Sequence, residues 1–183
     1  MRTFIAVDVS NKNAIVKLQQ ELTAVARWSP QQVKPVEKQN FHFTLVFLSE
    51  VSVHAIDKIK AKLSELQFEP IKITYTGLGG FPNSNFARVI WTGVDAEGRK
   101  KLISLAGMVI LKMIDIGFRP DKPFSPHLTL FRVKIGKFKL GNIPSKYNGK
   151  IFGNDIIDKI HLKVSNLTTA GPIYSDIFTV YAK

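Results

Sequence analysis

The sequence predicts an α/β (α+β) fold of mostly antiparallel sheet, arranged as two pseudo-symmetric lobes. Three observations predict it. Helix-like and strand-like segments alternate in short groups, in the order β-α-β-β-α-β-β-α-β-β-β. The pattern His-x-Thr-Leu occurs twice, as HFTL at 42–45 and HLTL at 127–130. The elements around each copy also repeat: strand 3–9, helix 11–26 and strand 41–48, then strand 86–94, helix 96–116 and strand 127–134. The two histidines stand 85 positions apart (127 − 42), and so do the two helix starts (96 − 11).

Each element has a local cause. TFIAVDV (3–9) is β-branched and apolar and reads as a strand. Ser10 or Asn11 can cap the following helix, whose Ile15, Leu18, Leu22 and Val25 recur at spacings of three and four and predict one buried face. Trp28, Ser29 and Pro30 end it. QQVKPVE is a short edge strand, because Pro35 withholds one ladder hydrogen bond. FHFTLVFL (41–48) is a strand. A second helix covers about 53–66, capped by Ser52, with Ile56, Ile59, Leu63 and Leu66 on one face. PIKITYTGLGGF is a strand expected to end at Gly79, Gly80 and Pro82. FARVIWTGV (86–94) is the next strand. Helix three runs from Ala96 to about Ile116 and is closed by Gly117. The loop FRPDKPFSP leads into strand HLTLFRVKI. GKFKLGNIPSKYNG reads as loop, and strands DKIHLKVSNLT and YSDIFTVYA follow.

The bulk properties narrow the function classes. A chain of 183 residues, 45% hydrophobic and 22% charged, suits one domain over 1–183. It can bury roughly 70% of its extended surface and needs no staples. With no cysteine, disulfides and thiolate metal sites are excluded. The longest apolar stretch, LISLAGMVILKMIDIGF, is broken by Lys112 and Asp115, and the start MRTFIAVDVS lacks a cleavage signal. A cytoplasmic protein with no membrane association is expected. The formal charge of +12, from 26 Lys+Arg against 14 Asp+Glu, favours a polyanionic partner, RNA or DNA first. The basic residues are dispersed, which predicts a folded basic face.

The paired motif carries the chemistry. Residues i and i+2 of a strand share a face. His42 and Thr44 therefore project together, with Phe43 and Leu45 behind them, and His127 and Thr129 project together, with Leu128 and Leu130 behind. Two imidazoles facing across a groove suit in-line displacement at phosphorus, where base and acid stand on opposite sides. Histidine titrates near neutrality, so one copy can accept a proton while the other donates. The threonine hydroxyls can bond phosphoryl oxygens as charge builds on them. A zinc site finds no third ligand at helical or hairpin spacing; Asp121, six residues before His127 across a proline-rich loop, is a weak one. No G-x-S-x-G elbow is present, and GLGG at 77–80 lacks the G-K that a phosphate loop requires.

Together with the opening RTFIAVDV and the stretches GGFPNSNFARVIW and PFSPHLTLFRVK, the paired HxTL motifs resemble the two-histidine (2H) phosphoesterases, in the branch of RNA 2′,3′-cyclic phosphodiesterases also called 2′–5′ RNA ligases. The resemblance covers essentially the whole chain. It implies a bilobal fold with helices outside and a central cleft. It implies hydrolysis of RNA 2′,3′-cyclic phosphate ends to 2′-phosphomonoesters, without metal or other cofactor, and reversible 2′–5′ joining. The implied partners are RNAs with 2′,3′-cyclic phosphate or 2′-phosphate ends, tRNA fragments among them, and no obligatory protein partner. His42 is then the proton donor to the leaving 3′ oxygen and His127 the acceptor from water, an assignment that the symmetry of the motifs does not supply. A non-catalytic RNA- or nucleotide-binding module, or a phosphodiesterase for a small cyclic nucleotide, would use the same cleft.

Arg132 follows HLTLF. Strict alternation places it on the face opposite His127 unless a bulge returns it to the cleft. The family resemblance makes it a candidate phosphate ligand beside Thr44 and Thr129. Arg88 is a second such candidate. His54 and His161 lack the threonine two places on and read as structural or surface residues.

Overall fold

The repeated strand–helix–strand order forms two antiparallel sheets in the computed structural model, which describes residues 1–183 except 27, 121, 122, 137 and 170. β1 (Arg2–Asp8) leads into α1 (Lys12–Ala26), β2 (Val33–Pro35), a 3-10 turn (Lys38–Asn40) and β3 (His42–Glu50). Next come α2 (Val53–Ser64), β4 (Ile71–Phe81), β5 (Val89–Val94), α3 (Ala96–Ile114) and β6 (Leu128–Val133). The chain continues through α4 (Ile143–Lys146), β7 (Ile151–Ile157), β8 (Lys159–Thr168) and β9 (Gly171–Tyr181). One sheet has the order β3-β1-β8-β9 and the other β2-β6-β5-β4-β7. The two repeats interleave: β2, which lies between the strands of the first repeat, pairs with β6 in the second sheet.

The helices form where capping and apolar spacing agree. Ser52 accepts from the Ala55 N–H at the start of α2, and Asp95 accepts from the Gly98 N–H at the start of α3. Gly117, at φ +90°, follows α3 in the left-handed region that favours glycine. In α1, Ile15, Leu18 and Leu22 are buried, but Val25 is 46% exposed. Val25 shares that face but lies in the last turn of α1, next to its end at Ala26.

Three expectations need correction. The strand at 71–81 does not stop at its glycines but runs through them to Phe81. At both positions a neighbour occupies the space of a Cβ: the Trp91 ring at Gly79, and the Ala87 Cβ at Gly80. α4 forms inside the segment expected to be loop. β7 has no counterpart in the sequence reading, because Gly-Asn-Asp interrupts its apolar run. That interruption has a purpose: a Cβ on Gly153 would lie 2.8 Å from the Ala14 Cβ of α1. Asp155, two residues on, accepts from the Ser10 and Asn11 N–H groups and from the Tyr75 hydroxyl. β7 thus anchors the start of α1.

A continuous apolar core joins both sheets and includes Phe43, Leu45, Leu128 and Leu130 from behind the two motifs. Phe43 stacks parallel to Tyr75 at 6.4 Å between centroids. No helix among the described residues is long and apolar enough to cross a membrane.

Candidate active site

Cross-strand register decides which side chains share a face. In the first sheet Asp8 stands opposite His42, and Ala6 opposite Thr44. On the other side of β1, Ala6 faces His161 and Phe4 faces Lys163. In the second sheet Trp91 stands opposite Thr129 and Val89 opposite Arg132. Gly79 faces Trp91, and Phe81 faces Val89. The two motif strands, β3 and β6, pack against one another.

The motifs are built alike. The His42 Nδ1 lies 2.9 Å from the Asn40 carbonyl oxygen, and the His127 Nδ1 lies 2.7 Å from the Ser125 carbonyl oxygen. A carbonyl only accepts, so each Nδ1 carries its proton and donates it, leaving each Nε2 for chemistry. Each imidazole also meets an aromatic ring at a right angle: Tyr174 on His42, centroids 5.2 Å apart, and Phe81 on His127, 4.8 Å apart. Phe4 packs on His42 at 5.1 Å, and Trp91 packs on Phe81 at 5.3 Å. Thr44 and Thr129 are half-buried. Among the described residues neither hydroxyl has a recorded protein partner, so both can serve a ligand.

Arg132 reaches the site through a bulge. The β5–β6 register skips Leu130 between Trp91↔Thr129 and Ile90↔Phe131. Leu130 and Phe131 are consecutively buried, which reverses the alternation after Thr129. Gln19 holds the bulge: its side-chain amide donates to the Leu130 carbonyl at 2.7 Å and to the Val36 carbonyl at 2.9 Å. Arg132 emerges on the side of His127 and Thr129. Its guanidinium lowers the proton affinity of both His127 and His42. One cation therefore acts on both rings.

Burial is the main cause that brings the His42 pKa down to about 4. Asp8 and the Asn40 carbonyl oppose that shift, while Lys163 and Arg132 add to it. His127 is also lowered, first by burial, then by Arg132, against the pull of the Ser125 carbonyl. No carboxylate acts on His127 among these causes.

Beside His42 lies a charged group that the sequence reading missed. The Lys163 ammonium is buried and donates to Asp8 at 2.9 Å and to Asp176 at 2.6 Å. His161 is also buried, with its Nδ1 3.1 Å from the Thr179 hydroxyl and 3.2 Å from Asp176. Its Nε2 is 3.8 Å from Asp8. Burial lowers the His161 pKa, and Asp8 and Asp176 oppose that. Asp8, His161 and Asp176 could together offer ligand atoms to a metal, but the Lys163 ammonium already lies between the two carboxylates. The register of β1, β8 and β9 makes this cluster, and no spacing within the sequence announces it. His54 is exposed on α2, and Arg88 is exposed just before β5. Asp121 lies outside the described residues.

Comparison with known proteins places the chain in a family. Residues 5–91 match the family model described as LigT like Phosphoesterase. The RNA 2′,3′-cyclic phosphodiesterase of Archaeoglobus fulgidus is 41% identical over 179 residues, covering 97% of this chain and 98% of that protein. The protein of the same name from Methanocaldococcus jannaschii is 37% identical, covering 97% and 98%. Among solved structures, TT0787 of Thermus thermophilus superposes with a TM-score of 0.78 at 26% identity, covering 99% of this chain and 97% of that one. Escherichia coli LigT complexed with 3′-AMP shares the fold at a TM-score of 0.76 and 22% identity, covering 99% and 97%.

Proposed function

From the premise that this chain belongs to the LigT-like phosphoesterases, we propose that it hydrolyses the 2′,3′-cyclic phosphodiester ends of RNA to 2′-phosphomonoesters. Residues 1–183 act as one bilobal domain. Water attacks phosphorus and gives a proton to the Nε2 of His127. The P–O3′ bond breaks, and the 3′ oxygen takes a proton from the Nε2 of His42. Thr44, Thr129 and Arg132 bond the non-bridging phosphoryl oxygens as negative charge builds on them. Both imidazoles are already fixed by their Nδ1 bonds, so little ordering remains at the moment of reaction.

The observation that carries this reading is that two imidazoles, each fixed through Nδ1 and followed by a threonine, lie on strands packed against each other. The reaction is metal-independent: two histidines supply acid and base, Arg132 supplies the cation, and Lys163 occupies the neighbouring carboxylate cluster. An RNA 5′-hydroxyl in place of water gives 2′–5′ joining by the same proton transfers. The formal charge of +12 favours RNA ends over small cyclic nucleotides, because a longer polyanion releases more counterions.

The test is turnover of an oligonucleotide with a 2′,3′-cyclic phosphate end in the presence of EDTA. His42→Ala and His127→Ala should each lose at least about 10²-fold in kcat, the lower end for general acid–base catalysis. Unchanged rates in both variants would refute the roles. Binding without turnover by the wild-type protein would instead mark a binding module.

A further inference from the structure

The two halves of the site hold their imidazoles alike but surround them with different charge. Each histidine is fixed by the carbonyl two residues before it, crossed by one aromatic ring, and followed by a threonine on the same face. The residue opposite His42 in the neighbouring strand is Asp8. Gly93 follows Thr92, the partner of Leu128, along β5, as Asp8 follows Val7, the partner of Phe43, along β1. The repeat offset gives the same correspondence, since 93 − 8 and 127 − 42 are both 85. One half of the site therefore presents a carboxylate to its imidazole, and the other half presents no side chain.

Asp8 is held in place. Lys163 donates to it at 2.9 Å and also donates to Asp176 at 2.6 Å. One ammonium shared by two carboxylates leaves one net negative charge on that side while His161 is neutral. The groups that act on His42 are Asp8 from β1, Lys163 from β8 and Arg132 from β6. His161 and Asp176 complete the network behind Asp8. Of all these, only the carboxylates favour a cationic imidazole.

We infer that Asp8 is a positioning residue that opposes the loss of the proton from His42, and that the Asp8/Gly93 difference distinguishes two otherwise similarly held histidines. The inference rests on the proposed reading of His42 as proton donor. Asp8 makes no hydrogen bond to His42, whose Nδ1 is taken by Asn40. It acts through space, so its charge matters and its bonding geometry to the ring does not.

The experiment follows the ring signals of each histidine by NMR across a pH titration, without substrate, alongside pH profiles of kcat. His42→Ala and His127→Ala assign the signals. Asp8→Asn keeps the side-chain shape and leaves Lys163 paired with Asp176. In this variant the His42 midpoint should move to lower pH and the His127 midpoint should stay. The limb of the kcat profile that requires protonated His42 should move the same way, and kcat at pH 7 should fall about tenfold, equal to one pH unit. Asp8→Glu should restore part of the loss. Gly93→Asp leaves Asp8 untouched; its new Cβ lies 3.3 Å from the Thr76 carbonyl oxygen, tight but open to small adjustment. It should raise the His127 midpoint. A His42 midpoint that does not move in Asp8→Asn, or a His127 midpoint that does not move in Gly93→Asp, overturns the inference. Failure of the wild-type protein to open a cyclic phosphate would overturn the proposed function instead, and the substrate-free titration would still decide the role of Asp8.

Discussion

Gly79 is a strand residue whose missing Cβ makes room for Trp91, which packs on the ring that crosses His127. A Cβ built there would lie 2.7 Å from both Cε2 and Cη2 of Trp91 and closer still to Cζ2. Carbon atoms rest at about 3.5–4.0 Å, so Gly79→Ala must push the indole back by roughly 1 Å. The contacted atoms belong to a rigid ring and cannot swing aside as a flexible chain end would. Overpacking of this kind costs about 1–3 kcal/mol. Trp91 packs on Phe81, and Phe81 crosses His127 at a right angle. A shift of the indole therefore reaches the imidazole, and a 1 Å misplacement costs about 10²-fold in rate. The assay is a double-mutant cycle by chemical denaturation with Gly79→Ala and Trp91→Leu, joined to kcat measurements on the single glycine variant. Gly79→Ala should cost about 1–3 kcal/mol beside Trp91 and almost nothing beside Leu. The Gly79→Ala enzyme should also lose between about ten- and a hundredfold in kcat. Equal costs in both backgrounds would refute the reasoning, since the penalty would then have nothing to do with the indole.

Other consequences follow from the same geometry. The folded-state pKa of His42 is down at about 4, below the ordinary value of about 6.5, so between those values the unfolded chain takes up more protons at this residue. Stability should therefore fall as pH drops from about 6.5 to about 4, by at most about 3 kcal/mol from this residue, and His42→Gln should flatten that slope in urea titrations. A slope identical in the variant would place the loss elsewhere. Arg132→Gln should reduce kcat/KM by more than tenfold and Arg132→Lys by less, because a point charge replaces part of a planar fork; equal losses would show that the retained charge contributes nothing without the fork. Gln19→Leu removes one donor from the carbonyl of the bulge residue Leu130 and the donor recorded for the Val36 carbonyl. It should lower stability by about 1–3 kcal/mol and raise KM through Arg132. An unchanged KM would separate the bulge from the site.

The sequence alone was enough for the features that rest on local spacing. His42 with Thr44, and His127 with Thr129, share a face because a strand repeats every two residues. α2 and α3 begin where Ser52 and Asp95 offer side-chain oxygens to free N–H groups. The second HxTL copy, at a similar offset with the same surrounding elements, predicted two similar halves. The family resemblance rested on those residues.

Tertiary structure decided what depends on strands meeting. Arg132 comes to the side of His127 and Thr129 only because Leu130 is skipped in the pairing with β5 and Gln19 of α1 fills the resulting hydrogen-bonding need. β7 was hidden by a glycine that exists to let α1 approach. Asp8, His161, Lys163 and Asp176 come from three strands and converge through sheet order, which no sequence period encodes. The sequence therefore determined which residue types could transfer protons, since that follows from side-chain chemistry and a two-residue repeat. Which charges stand around each imidazole was left to the tertiary structure, because a Coulomb interaction depends on distance in space and not on separation along the chain.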